Sequence, residues 1–218
     1  MKSVALLHTV KSVYESFEDF LRAQVGELTV YNLLDDFLAI DANLKGEFTQ
    51  NNLERLKLDL HACDRTEADL IVVTCSTLSP WIKTVQNEIN RPIFTIDDAM
   101  TTQAAKSGGR VVVIATAQSA LGPVCRAIEE KSASKHIDLV GVLCGEAMTA
   151  LRTGDKTQHD ELITECAKNV KNADLIVLAQ ASMAHMDEHI SRICHCPTLQ
   201  SPNLCARQVA DWLDRKYE

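Results

Sequence analysis

The pentapeptide Ala-Asp-Leu-Ile-Val occurs twice in the chain, at Ala68–Val72 and Ala173–Val177, a shift of 105 residues. One such identity is weak evidence, because buried strands draw on few residue types. Its weight comes from the order of further matches. Arg91-Pro92-Ile93 falls on Cys196-Pro197-Thr198 at the same shift, and Ser3–Thr9 falls on Arg110–Thr116 at a shift of 107. Between them, Asn43–Glu47 resembles Leu151–Asp155. The period is about a hundred residues, too long for a solenoid, whose unit is about 20 to 50. The chain therefore reads as two like α/β halves.

Each half alternates short apolar runs with helical patterns, which predicts parallel, doubly wound sheets. In the first half, strands are expected at Val4–His8, Leu28–Leu34, Leu70–Val73 and Ile93–Ile96, with helices at Lys11–Val25, Asn51–Arg65 and Trp81–Ile89. Phe37–Glu47 shows no clean period and reads as a long connection. In the second half the strands are Val111–Ala115, Ile137–Cys144 and Leu175–Gln180, and the helices Ser119–Lys131 and His159–Lys171. Pro202–Tyr217 has no counterpart in the first repeat and is expected to pack back on that half. The lobes are accordingly 1–98 plus 203–218, and 99–202. Asp97 and Asp98 open a helix toward Ala105, and capping is favoured over acid–base work for the pair.

Composition narrows the function classes. A formal net charge of −8 with no Lys/Arg run disfavours nucleic acid and anionic membrane surfaces as partners. No apolar run approaches the roughly eighteen residues needed to cross a bilayer. Eight cysteines are few for 218 residues, several lie inside strand patterns, and nothing resembles a signal peptide. They read as reduced, in a cytoplasmic protein. There is no Gly-x-Gly-x-x-Gly and no phosphate-binding loop of the Walker type, so a nucleotide cofactor has no support.

The chemistry concentrates at Ala68–Pro80. A buried strand ends there in Thr74-Cys75-Ser76-Thr77, and Ser79-Pro80 opens the next helix. The carboxyl end of such a strand faces a ligand crevice, and backbone N–H groups at a following helix start favour an anion. Cys75 sits where a thiol can become a thiolate, although apolar burial opposes this. At the 105-residue shift Gln180 lies on Cys75, Ala181 on Ser76 and Ser182 on Thr77.

The thiol after the third strand, the ADLIV strand of the other half, Ala115-Thr116 closing the fifth strand, and the strings Val72–Pro80, Ile96–Met100 and Val177–Met183 together resemble the aspartate/glutamate/hydantoin racemase superfamily, especially a bacterial branch of it. The resemblance covers nearly the whole chain. It implies two pseudo-symmetric lobes with the active site in the cleft between them, no pyridoxal phosphate or metal, and a small carboxylate or amino acid as substrate. It further implies two cysteines, one per lobe, on opposite faces of the carbon next to the carboxylate, one removing a proton and the other returning one. Carried onto this chain, Cys75 is the first thiol, Ser76 and Thr77 bind carboxylate, and Thr116 with Ser119 forms the other side of that cradle. His8 stands where an acidic residue commonly supports the first cysteine. A homodimer is the family's common assembly.

The chain departs from the family where the second cysteine belongs, since Gln180, Ala181 and Ser182 stand there. Gln is neither acid nor base near neutrality, but its amide can donate to an enolate or carboxylate oxygen. Cys144 is a poor replacement, because another strand is expected between its strand and that of Gln180. Three functions fit: a one-cysteine isomerase or decarboxylase with Gln180 and Thr116 holding an oxyanion, a racemase whose second base is His8 or a residue of Asp35–Glu47, or a carboxylate-binding relative without catalysis. His185, His189, Cys194, His195 and Cys196 raise zinc as a possibility, but their spacing fits no closed site, and a solvated helix followed by incidental thiols is favoured.

Overall fold

Each half of the repeat builds its own four-stranded parallel sheet. The computed structural model describes residues 1–132 and 136–218. In the first half β1 (Ser3–His8), β2 (Thr29–Leu34), β3 (Leu70–Val73) and β4 (Ile93–Thr95) lie in the order β2-β1-β3-β4. In the second, β5 (Gly109–Ala115), β6 (Ile137–Leu143), β7 (Leu175–Leu178) and β8 (Thr198–Gln200) lie as β6-β5-β7-β8. Helices connect and flank the strands: α1 (Lys11–Val25), α2 (Phe37–Lys45), α3 (Gln50–Asp64), the short α4 (Ile82–Val85), α5 (Asp98–Ser107), α6 (Gln118–Lys131), α7 (Gly145–Arg152), α8 (Lys156–Lys168), α9 (Asp187–Cys194) and α10 (Ser201–Tyr217). The α/β class and the two parallel-sheet lobes are those the repeat predicts. Among the described residues no helix is long and apolar enough to cross a membrane.

The repeat extends to the register. Val4 pairs with Leu70 in the first sheet, and Val111 with Leu175 in the second. Below these pairs, the Asp69 carboxylate accepts from the Ser3 N–H at 2.8 Å, and the Asp174 carboxylate accepts from the Arg110 N–H at 2.7 Å. At the other end the Thr74 N–H donates to the Leu7 carbonyl and the Ala179 N–H to that of Ile114, both at 2.9 Å. The two ADLIV strands are thus clamped alike at both ends, which delivers Cys75 and Gln180 to matching positions beyond their sheets.

Burial explains the strands and most of the helices. Leu70–Val73 and Leu175–Leu178 are buried throughout, as expected of inner strands covered on both faces. On α1, Val13, Phe17 and Leu21 recur every fourth residue, are buried, and so fix its face. Gly26, at φ 78°, ends that helix with its N–H on the Arg22 carbonyl.

Three local expectations are corrected. Phe37–Lys45 is helical rather than a connection, ending at Gly46 in the left-handed region (φ 73°). Only Leu38 and Ala42 of it are buried, whereas Ile40 and Leu44 are exposed, so its apolar residues never trace one face. Gly145–Arg152 is an unanticipated helix that buries only the small Ala147 and Ala150. Trp81–Ile89 is not one helix but α4 between the 3-10 turns Ser79–Trp81 and Gln86–Glu88. A fourth correction concerns the cysteines, for Cys144 and Cys166 form a disulfide. The end of β6 and helix α8 carry their Cα atoms 6.5 Å apart, within bridging reach.

The chain divides into two units, Met1–Asp98 with Pro202–Glu218 and Ala99–Ser201. Helix α10 is tied to the first unit by Lys2 with Asp214, Lys216 with Asp69, and the Tyr217 hydroxyl, which donates to Asp69 Oδ2 at 2.9 Å. Gly109 starts β5 at φ 74°, and a Cβ there would collide with the Asp174 carboxylate that holds Arg110. Gly109→Ala is therefore expected to cost about 2 kcal/mol of unfolding free energy, read by urea titration. Unchanged stability would show that the Asp174 clamp yields without cost.

Candidate functional site

In the first unit the chain leaves β3 at Thr74 and turns tightly. The Leu78 N–H donates to the Cys75 carbonyl and the Trp81 N–H to the Leu78 carbonyl, each at 3.0 Å. Inside this turn the Cys75 side chain is only 8% exposed. The neighbouring hydroxyls of Thr9 and Thr77 and the N–H groups of Thr77 and Leu78 favour a thiolate there. Burial is the larger effect and raises the thiol above its ordinary value, so at rest Cys75 keeps its proton. Thr9 Oγ1 is buried with no hydrogen-bond partner among the described residues.

Ser76 and Thr77 are buried beside the thiol. The Ser76 hydroxyl donates to Asp97 Oδ1 at 2.7 Å, and the Ser79 hydroxyl donates to Asp97 Oδ2 at 2.8 Å. Asp97 follows β4, is 4% exposed, and immediately precedes α5, so its carboxylate reaches back across the sheet end to the Cys75 turn.

His8 is fully buried. Thr74 Oγ1 lies 2.8 Å from its Nδ1 and Asn32 Oδ1 lies 3.1 Å from its Nε2. Asn32 Oδ1 can only accept, so Nε2 carries the proton and Nδ1 accepts from the hydroxyl, a neutral ring. Burial lowers its pKa, with Asn32 and Glu18 opposing. The ring packs edge-on against Tyr14 and Phe17 of α1, at centroid distances of 5.5 and 6.5 Å. His8 thus joins Thr74, Asn32 and α1.

Asp35, at the end of β2, is also engaged. Its carboxylate accepts from the Arg55 guanidinium, through Nη2 at 3.2 Å and through Nε, and shares a hydrogen bond with Asp59 of α3. Burial first, and then Asp35, push the Asp59 carboxyl up to about 7. A native carboxyl that holds its proton above the unfolded value stabilises the fold fully below about pH 4. That contribution is lost as pH rises through about 7. Melting temperature is expected to fall between pH 5 and 8, and Asp59→Asn to remove about 1–2 kcal/mol of that dependence, discounted because Asp59 is half-exposed. Identical pH profiles of the two proteins in differential scanning fluorimetry would contradict the assignment.

The second unit repeats the turn with oxygen in place of sulfur. Gln180 lies beyond β7, and its Oε1 accepts from the Thr116 N–H at 2.6 Å, the Thr116 hydroxyl at 3.0 Å and the Ala117 N–H at 3.2 Å. Two backbone N–H groups demand an acceptor, so the amide's orientation is determined: Oε1 fills the nest and Nε2 points away from it. The nest opens at the start of the fourteen-residue α6, where the helix dipole favours negative charge. Ser119 is half-buried in the first turn of α6, and Ala181 and Ser182 are half-buried in the 3-10 turn Ala181–Met186. Sheet order puts β5 between β6 and β7, and Cys144 is bonded to Cys166.

The shift of 107 that pairs β1 with β5 also lays Thr9 on Thr116. One hydroxyl is among the influences on the Cys75 thiol, and the other donates to the Gln180 oxygen. Thr9 is the site residue that motif reasoning, drawn to His8, passed over, and the repeat itself was the signal for it. Among the described residues no group of three or more His, Cys, Asp or Glu is placed to hold a metal ion; His185 instead meets Asp160 Oδ2 at 2.8 Å.

Comparison with known proteins agrees with the fold. The family model for Asp/Glu/hydantoin racemase matches residues 7–209. A glutamate racemase from Francisella tularensis, solved with D-glutamate, superposes with a TM-score of 0.77 at 13% identity, covering 99% of this chain and 82% of that one. A glutamate racemase from Bacillus anthracis gives 0.73 at 13%, again over 99% and 82%. An allantoin racemase from Pseudomonas fluorescens gives 0.67 at 18%, over 99% and 92%. At these identities the likeness speaks for the fold. No protein of curated function matches by sequence.

Proposed function

The chain belongs to the Asp/Glu/hydantoin racemase family, and from that premise we propose that it is a cofactor-independent isomerase-type enzyme that moves a proton at the carbon next to the carboxylate of a small acid or amino acid, with Cys75 as its acid/base. The observation that carries this is the position of Cys75 in the tight turn beyond β3, where polar groups of Thr9, Thr77 and Leu78 favour the thiolate whenever the proton leaves. Ser76 and Thr77 line that position. Thr116, Ser119, Gln180, Ala181 and Ser182 are proposed as substrate-binding residues, with the Gln180 Nε2 amide as a donor to an enolate or carboxylate oxygen. His8 acts indirectly, by fixing Thr74 next to the thiol.

A second reading is favoured by the burial of Cys75, which raises its thiol above the ordinary value, while Gln180 cannot accept a proton. A one-cysteine decarboxylase or cis–trans isomerase needs only this, a thiol that protonates carbon once. Self-association as a homodimer and a cytoplasmic setting complete the proposal.

The test is incubation in D2O with aspartate, glutamate, hydantoins, allantoin and arylmalonates, followed by mass analysis. Deuterium in recovered substrate, with loss of optical activity, supports proton exchange at a stereocentre. Deuterium only in a lighter or rearranged product supports the one-cysteine reaction. Binding without deuterium anywhere sinks both and leaves a carboxylate-binding protein.

A further inference from the structure

Exposed apolar side chains gather in one part of the chain. Apart from the terminal Met1 and Tyr217, every large apolar residue exposed among the described residues, save Leu143, lies between Tyr14 and Leu58. Three of them are on α2: Phe37, Ile40 and Leu44 are 37%, 41% and 74% exposed. Their spacing of three and then four residues places them within about 60° of one another around the helix, roughly opposite the buried Leu38 and Ala42. The apolar residues of α2 are thus divided between two faces, one inward and one outward. The outward set has the a–d–a spacing with which one helix lies along another, and the flanking positions of that seam are Asp36 and Asp41. The charge around it has one sign. Lys45 is held by Asp41 at 2.9 Å, and Arg55 of α3, whose guanidinium lies 5.0 Å from the Phe37 ring centre, is held by Asp35. Asp36 precedes the helix, Glu47 follows it, and both are exposed. Lys and Arg number 12 against 19 Asp and Glu in the first unit, and 10 against 11 in the second, so the first unit carries −7 of the net −8.

We propose that the outer face of α2 is a docking surface for a basic amphipathic helix of a partner protein. Phe37, Ile40 and Leu44 seat the apolar side chains of that helix, while Asp36 and Asp41 meet the Lys or Arg residues that flank them. Charge selects this occupant. A second copy in a two-fold contact would set the acids of this face against themselves, on a unit already at −7, and like charges across an interface are repulsive. A basic helix covers the exposed apolar area and neutralises its rim in one contact. The surface is independent of the role of Cys75, and the chain can carry it with or without proton-transfer activity.

The experiment titrates the full chain into a fluorescently labelled helical peptide, about three heptads long, with Leu at its core positions and Lys at the flanking ones. The same peptide with Glu in place of Lys is the control, and both are read by anisotropy. The Lys peptide is expected to bind about tenfold or more tighter than the Glu peptide, and to weaken several-fold when salt is raised from about 0.15 M to about 0.5 M. Ile40→Glu and Leu44→Glu are each expected to lose about tenfold or more in affinity for the Lys peptide. Either substitution adds a negative charge, so attraction by charge alone would strengthen binding; strengthened or unchanged affinity in these variants overturns the proposal. Both positions are exposed, so the variants are expected to fold, and unchanged melting temperatures verify it. Asp36→Lys is expected to narrow the preference for the Lys peptide by about threefold or more. Equal binding of the two peptides by wild type, or no binding of the Lys peptide, also overturns the proposal. So does a homodimer in sedimentation velocity that Leu44→Glu dissociates, because a second copy then covers the face.

Discussion

Cys75→Ser is expected to lower the rate of deuterium entry into substrate carbon by about a thousandfold or more, with unfolding free energy changed by less than about 1 kcal/mol. The reasoning starts from the turn. The smaller serine oxygen fits without strain in a turn where the residue is 8% exposed, and the polar groups of Thr77 and Leu78 remain to bond it. A serine hydroxyl, however, cannot carry the negative charge that a thiol carries when its proton goes to carbon. The pH dependence tells which direction the proton travels. Burial holds the Cys75 thiol above its ordinary value, so a step that needs the thiolate accelerates steadily as pH rises through neutrality and beyond. A step that needs the thiol is flat over the same range and falls only when the proton is finally lost. A Cys75→Ser protein that exchanges deuterium at the wild-type rate would remove Cys75 from the mechanism.

The second large effect is expected at Gln180. Gln180→Ala deletes the acceptor of three donors at once, the Thr116 N–H and hydroxyl and the Ala117 N–H. Thr116 is 1% exposed and Ala117 7%, so little solvent replaces the lost oxygen. Unpaired buried groups cost about 1–3 kcal/mol each, and a water entering the new space recovers part of it. A net loss of about 2–4 kcal/mol follows. Formate or acetate at millimolar concentration is expected to restore much of that stability in the variant and none in wild type, because a small carboxylate supplies the missing oxygen at a helix start that favours anions. Thermal melts with and without formate decide the matter. A variant as stable as wild type, or one indifferent to formate, would show that the nest does not hold the amide in solution.

The sequence carried the sheets well because the repeat is written in residues that strands bury. Leu70–Val73 and Leu175–Leu178 are apolar because both faces of each inner strand are covered, and their order with β1 and β5 follows from the two shifts. The short helices were hidden for the opposite reason. In α2 the apolar Ile40 and Leu44 face solvent, and in α7 the buried side chains are alanines, so neither segment shows an apolar stripe. The candidate site was legible where function lies in one stretch, as in Cys75-Ser76-Thr77, and illegible where it depends on the sheet. Thr9 is 66 residues from Cys75, and Asp97 is 21 residues from the serine it binds. Each is brought there by parallel pairing of neighbouring strands, a contact that spacing alone does not reveal. The disulfide joins two residues 22 apart whose cysteines carried no mark of it in an ordinary composition.

The placement of α10 bears on how the protein is made. Residues 202–218 complete the first unit, whereas residues 99–201 form the second without interruption. During synthesis the second unit has all of its strands once Gln200 has emerged, while the first still lacks the helix that brings Lys216 and Tyr217 to Asp69. Domains fold as units as they leave the ribosome. The half that is translated first is therefore the half that is finished last, and Asp69, one of the clamps of the strand that leads to Cys75, gains its last partners only at that step.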